Sequence, residues 1–346
     1  MSSGLSRRKG KKNSSDDEGD LDSINDKLNN ISISNGNASN SKSYEKDNEL
    51  GNENEESSAP VLTLLEEVLL IGLKDKEGYL SFWNDSISYA LRGLILIELT
   101  LRNRIRMVSS PNRSRFELSD RLVEVISSKP TGETLLDEAL KHMSSDSENL
   151  SVANWIDYLS GETWNLMKAN YHLKQVRERL AKGLVDKGVL KTEMKSFLLF
   201  DMATHPINDP KAKRGVINRI INLLTARNVI LDDGADDGTD KYFPSSMEWR
   251  LLRSVILVCA CNAANVLENV LVELNFNQRD NAFQRAEELL SQYSSFPFVE
   301  KSSKSGLGVN LLTEVNKEVD RHAKWELNLE LVAAVVDIFS KMDSIL

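Results

Sequence analysis

Trp83, Arg92, Lys174 and Arg177 are the residues whose types and spacing suggest chemistry. In EGYLSFWNDSISYALRG, Trp83 stands just before a helical pattern and Arg92 lies inside it. A tryptophan at a helix entry can sit at a bilayer interface, with its ring in the apolar layer and its indole N–H toward the headgroups. In HLKQVRERLAKG, Lys174 and Arg177 are three residues apart, so a helix would place them on one face. Two such cations, joined by Arg92 from another helix, can hold a phosphate through charge-assisted hydrogen bonds. A plainer reading competes with this one. It puts Trp83 in the core, and Lys174 and Arg177 on a solvated face paired with Glu178. On pattern alone, the plainer reading carries more weight.

Little else in the chain has catalytic form. No phosphate-cradling glycine loop and no G-x-S-x-G elbow occurs. The four histidines, His142, His172, His205 and His322, never fall at i, i+4 from one another, which excludes a zinc pair of that type. His172 reads as a packing or surface residue on a helix. Carboxylate pairs such as Glu66-Glu67 and Asp232-Asp233 read as solvated faces. Cys259 and Cys261 lie two apart in VILVCACNAANVL, where a helix would point them to different faces, and they read as buried structural thiols. The inventory points away from an enzyme and calls for no metal and no cofactor.

The elements that must position these residues are mostly helices. LTLLEEVLLIGL sets Leu62, Leu64, Leu65, Val68, Leu69 and Leu73 at helical spacing, with Glu66 and Glu67 on the other face. Asp85 is the expected N-cap of a second helix, made apolar by Ile87, Leu91, Leu94, Ile95 and Ile97. Two short strands are expected near Ile105–Val108 and Leu122–Ile126. Further helices are expected in GETLLDEALKHM, two or three more across VANWIDYLSGETWNLMKANYHLKQVRERLAKGLVDKGV with a break at Ser160-Gly161, and another in DPKAKRGVINRIINLLTARN. The run Phe197–Phe200 reads as a hairpin strand or an exposed loop. Helical pattern returns in RLLRSVILVCACNAANVLENVLVEL, RDNAFQRAEELLSQY and KWELNLELVAAVVDIF, the last two separated by a loop at SSFPFVEKSSKSGLG.

Residues 1–57 are Ser, Asn, Asp and Glu almost throughout and read as a disordered tail. So little apolar surface cannot offset the entropy of ordering the backbone. The tail is basic at Arg7–Lys12 and acidic from Asp16, and Ser14 and Ser15 stand in an acidic context suited to phosphorylation. Residues 58–346 read as a single large, mainly α domain with short β-hairpins. The net charge of -9 and pI near 5.2 argue against a nucleic-acid partner and against general adhesion to anionic lipid. Phosphate recognition then requires a local basic patch. The N-terminus lacks the apolar stretch of a secretory signal, and no apolar run is long enough to span a bilayer, so peripheral attachment is the expectation.

Four blocks carry a further signal: LLEEVLLIGLKDKEGYLSFWNDSISYALRG, TGETLLDEALKH, SGETWNLMKANYHLKQVRERLAKGLVDKGVL and FLLFDMATHP. In this order they resemble the Golgi phosphoprotein 3 family, and its fungal members most. The similarity runs from about Leu62 to about Leu274 and continues more weakly to the end. The resemblance implies a helical domain on the cytosolic face of Golgi membranes, exchanging with the cytoplasm. It implies binding to phosphatidylinositol 4-phosphate, to the cytosolic tails of glycosyltransferases and to coatomer, so that the enzymes are returned to the Golgi. The family's lipid-binding Trp falls on Trp83, its first Arg on Arg92, and its two later basic residues on Lys174 and Arg177. Lys174 stands where animal members have Arg, and Lys lacks the bidentate fork. The family's self-association hairpin corresponds to Glu193–Thr204, with Phe197, Leu198, Leu199 and Phe200 as its apolar patch. Its coat-binding arginine cluster corresponds to Arg7, Arg8 and Lys9. The segments 232–240 and 294–308 look like insertions relative to animal members. The competing function is a soluble helical scaffold without a lipid site.

Overall fold

A computed structural model describes residues 62–80, 85–163, 166–197, 200–226, 241–299, 311–322 and 324–342. The chain divides into Met1–Asn54 and Glu55–Leu346, and every described residue belongs to the second unit. The tail expected over residues 1–57, with Arg7, Arg8 and Lys9, lies outside the described residues, as does the acidic loop 232–240.

The fold is mainly α, with two small antiparallel hairpins. Helix α1 (Leu64–Gly72) is its axis, and all nine of its residues are buried. Its start is fixed by a capping box: Thr63 Oγ1 accepts from the Glu66 N–H, and the Glu66 carboxylate accepts from the Thr63 N–H at 2.8 Å. Around it stand α2 (Asp85–Leu101), α5 (Val176–Asp186), α6 (Pro210–Thr225), α7 (Arg250–Ala263) and α8 (Leu267–Leu271). The outward face expected for Glu66 and Glu67 is corrected here. Both are buried, and each meets a cation from a distant helix or turn. Arg219 donates to Glu67 at 2.5 Å and Lys187 to Glu66 at 2.7 Å. A helix enclosed on all sides has no solvated face, so its carboxylates persist only as paired, hydrogen-bonded charges.

The same rule governs Glu98 on α2. Its carboxylate receives both terminal nitrogens of Arg253 at 2.9 Å and the Leu64 N–H at 2.8 Å. One fully buried side chain thus joins α2, α7 and the start of α1. Helix α11 (Glu326–Ser340) crosses α2 at Gly93, where an added Cβ would lie 2.6 Å from the Phe339 ring, so only glycine admits this approach.

Helix α2 begins at Asp85 itself, which therefore sits in the first turn rather than capping it. Strands β1 (Ile105–Met107) and β2 (Val123–Val125) pair antiparallel, inside the expected ranges. Helices α3 (Thr134–Ser145) and α4 (Val152–Ser160) follow, and α4 ends at Gly161, whose φ of +89° is the left-handed cap that the Ser160-Gly161 break anticipated. The apolar run after Arg250 is broken at Asn265 (φ +58°) into α7 and α8, and α9 (Phe276–Tyr293) follows behind an Asn275 capping box. Cys259 and Cys261 are free and buried in α7, and burial pushes both thiols up. Helix α10 (Leu311–Asp320) has no counterpart in the sequence reading. Its Glu318 accepts from the Leu251 and Leu252 N–H groups and so caps α7, whose own N-cap residue, Trp249, cannot.

Candidate functional site

Arg92 projects from α2 into the protein, and the residue is only 4% exposed. Its guanidinium spans a gap between two backbone segments. Nε donates to the Leu159 carbonyl at 3.3 Å and Nη2 donates to the Leu173 carbonyl at 3.0 Å. Nη1 donates back to Ser88, to its carbonyl at 3.0 Å and its hydroxyl at 2.8 Å. A guanidinium carries five N–H groups, so one N–H of Nη2 is left without an acceptor among the described residues. Burial lowers the Arg92 pKa from 12.5 to about 10, and the group stays charged at neutral pH.

The two carbonyls are the two sides of a loop neck. Leu159 lies in the last turn of α4, Leu173 precedes α5, and the Leu173 N–H donates to the Leu159 carbonyl at 3.1 Å. Between them the described residues turn away at Gly161 and come back at His172. The His172 ring lies over Gly161, 3.0 Å from the position a Cβ would take there. Farther out, Tyr171 stacks on Trp155 with ring centroids 5.6 Å apart, and Lys168 is tied to Asp146 by a very short ion pair. On the opposite flank, the Tyr89 hydroxyl donates to Asp157 at 2.6 Å and holds α2 against α4.

Lys174 comes next and is exposed. It does not share a helix face with Arg177, contrary to the sequence reading. Gln175 takes φ +53°, a left-handed conformation that stops the helical path, and α5 starts at Val176. Lys174 therefore lies in the turn and Arg177 in the first helical turn. Arg177 is about half exposed and donates to Glu178, the pairing that the plainer reading proposed.

Two histidines report on the charges around them. The His172 pKa is lowered by burial, then by the positive charges of Arg92 and Lys174, against a smaller pull from Glu162. These two cations therefore share one neighbourhood. The His205 pKa is lowered by burial, opposed by Glu178 and lowered further by Arg177. Arg177 thus faces the root of the second hairpin. No residue pattern marked His172, or the loop it closes, as part of the site.

That hairpin is β3 (Glu193–Phe197) and β4 (Phe200–Thr204), with register from Glu193 opposite Thr204 to Phe197 opposite Phe200. Its root is knitted to the turn after α1. The His205 N–H donates to the Gly78 carbonyl at 2.8 Å, and Lys195 donates to the Lys76 and Glu77 carbonyls at 3.1 Å. Met194 is well exposed on β3. Leu198 and Leu199, at the tip, lie outside the described residues. Trp83 does too, two positions ahead of α2. Among the described residues no group of three or more His, Cys, Asp or Glu is placed to hold a metal ion, and no helix is long and apolar enough to cross a membrane.

Arg92 thus lies buried beneath the Leu173 carbonyl, with Lys174 on the exposed turn that follows it. Arg177, paired with Glu178 on the first turn of α5, lies toward His205 at the β3–β4 root. An exposed ammonium above a buried guanidinium makes this corner able to attract a small anionic group.

The sequence model of Golgi phosphoprotein 3 (GPP34) matches residues 64–322. Over 293 residues the chain is 54% identical to vacuolar protein sorting-associated protein 74 of Eremothecium gossypii, covering 84% of this chain and 86% of that one. Over 302 residues it is 52% identical to the protein of the same name from Schizosaccharomyces pombe, covering 87% of each.

Proposed function

Because the chain belongs to the Golgi phosphoprotein 3 family, we propose that it is a peripheral adaptor on the cytosolic face of Golgi membranes, without enzymatic activity. In this reading it binds phosphatidylinositol 4-phosphate through Lys174 and Arg177 over Arg92, with Trp83 at the bilayer interface. It also holds the cytosolic tails of glycosyltransferases and links them to coatomer through Arg7, Arg8 and Lys9, which retains the enzymes in the Golgi. The names of the two relatives, which speak of vacuolar protein sorting, agree with a trafficking role.

The observation that carries the lipid part is the shared neighbourhood of Arg92 and Lys174 around His172, with Arg177 close by on the first turn of α5. Arg92 on α2 and Lys174 on the turn before α5 lie close together in a protein whose net charge is -9. Such a protein is repelled by anionic surfaces in general, so recognition rests on the local corner. The Glu193–Thr204 hairpin is assigned to self-association, which multiplies weak headgroup sites into firm attachment; avidity gains of about 10²–10⁴ are usual.

The test is vesicle flotation across a phosphoinositide panel, comparing the wild type with the Lys174→Ala/Arg177→Ala pair. The expected result is a preference for the 4-phosphate, and binding at least about tenfold weaker in the double variant. No vesicle binding by the wild type would favour the soluble-scaffold reading, and equal binding by both proteins would remove Lys174 and Arg177 from the site.

A further inference from the structure

The loop closed by Arg92 carries an unusual tip. Leu166 is 88% exposed and Met167 is 83% exposed. Among the described residues they are the one consecutive pair of large apolar side chains held so far into solvent. The described residues that follow the tip are tied to the body. Immediately after the tip, Lys168 is bound to Asp146, and the Tyr171 N–H donates to the Lys168 carbonyl at 3.0 Å. Tyr171 lies against Trp155 and also against His142, at 5.3 Å between centroids. His172 rests on Gly161, and Arg92 fastens the neck. The backbone beside the tip is thus anchored, and the two side chains are presented outward at a standing cost in apolar hydration.

We propose that Leu166 and Met167 enter the apolar layer of a membrane as a shallow wedge while an anionic headgroup occupies the corner at the loop's root. The proposal rests on the lipid-binding reading above and deepens it. Charge and continuity select a bilayer as the occupant. The loop root bears the exposed Lys174 above the buried Arg92, whereas Lys168, just after the apolar pair, is held by Asp146. Cations beside protruding apolar side chains match a surface that is anionic outside and hydrocarbon within. The two contacts share one support, because the guanidinium beneath the headgroup corner also bonds both sides of the loop's neck. Shallow insertion also suits a body in which no described helix can span a bilayer.

The test uses the full chain with Leu166→Ser/Met167→Ser, a surface change that leaves the anchoring residues intact. Two ligands separate the contacts. Soluble inositol 1,4-bisphosphate presents the headgroup without a bilayer, and phosphatidylcholine vesicles containing phosphatidylinositol 4-phosphate present both. We expect unchanged affinity for the soluble headgroup and vesicle affinity about 10- to 100-fold lower, the effect of withdrawing two apolar side chains from hydrocarbon. A polarity-sensitive fluorophore on Leu166→Cys should shift to the blue on vesicle binding and be quenched by brominated acyl chains. Vesicle affinity within twofold of the wild type, or a fluorophore that stays aqueous in the bound protein, overturns the proposal. So does loss of self-association with vesicle binding intact, which would assign the tip to a second copy of the chain. Loop-dependent vesicle binding without preference for the 4-phosphate supports the wedge while removing the headgroup reading. A wild type that binds neither ligand removes both.

Discussion

Replacing Arg92 by Ala tests whether this residue is first a clamp and only then part of a headgroup site. The change removes donors from two buried carbonyls. Leu159 O retains the Leu173 N–H at 3.1 Å, whereas Leu173 O keeps no donor among the described residues. An orphaned buried acceptor costs about 1–3 kcal/mol, and the lost charge-assisted bond to Leu159 adds about 1.5 kcal/mol. Against this stands relief of the burial that lowers the guanidinium pKa from 12.5 to about 10. The net loss should be near 2 kcal/mol, or about 3–4 °C in melting temperature for a domain of this size. Melting followed by circular dichroism gives the total, and hydrogen exchange at residues 160–173 locates it. Arg92→Lys keeps the charge, but a single ammonium cannot span both carbonyls with a planar fork, so the loop amides should still exchange faster. The reasoning fails if both variants melt within a degree of the wild type and the Leu173 amide exchanges at the wild-type rate. If it holds, loss of lipid binding in Arg92→Ala does not by itself identify a headgroup ligand, and Lys174 and Arg177 are the cleaner probes.

Three further outcomes follow from buried groups. Burial alone would raise the Glu98 pKa, but Arg253 and Arg102 outweigh it and bring the carboxyl from 4.5 to about 2. A depressed acid stabilises the fold above its unfolded value and loses that contribution as pH falls from about 4.5 toward 2. Glu98→Gln should therefore cost about 3–5 kcal/mol at neutral pH by stranding Arg253, and its urea midpoint should approach the wild type's in acid; parallel profiles would contradict this. Gly161→Ala places a Cβ at φ +89° and 3.0 Å from the His172 ring, so it should destabilise by about 1–3 kcal/mol, read as a lower melting temperature. Cys259 and Cys261 should resist a thiol reagent in the native protein and react once urea unfolds it, because burial keeps both protonated; prompt native labelling would show that α7 is accessible.

Much of this fold was legible because apolar spacing is written in side chains. The runs that became α2, α9 and α11, the break at Gly161 and the two short strands were all visible in that way. The errors share one physical origin. Glu66 and Glu67 have the spacing of a wet face, and their burial depends on Lys187 and Arg219, more than a hundred residues away. Local pattern cannot report such partners. Lys174 and Arg177 have helical spacing too, and one left-handed residue, Gln175, undoes it. The clamp formed by Arg92 could not be read at all, since its acceptors are the backbone carbonyls of Leu159 and Leu173, which every residue type supplies equally. Helix α10 does carry a local signature, with Leu311, Leu312, Val315 and Val319 at helical spacing; what local pattern cannot report is that its Glu318 caps a distant helix.

The enclosure of α1 has a consequence for how the chain is made. This helix leaves the ribosome before every element that covers it, and the last of these, α8, ends at Leu271, about 200 residues after Gly72. At translation rates of about 5–20 residues per second, the apolar LLEEVLLIG segment waits on the order of 10–40 s for its final neighbour. Its two carboxylates wait as well, since Lys187 and Arg219 come from later elements. Until then the nascent segment exposes apolar surface that aggregation or a chaperone could engage. A message cut short before α8 yields an aggregation-prone polypeptide rather than a smaller working domain.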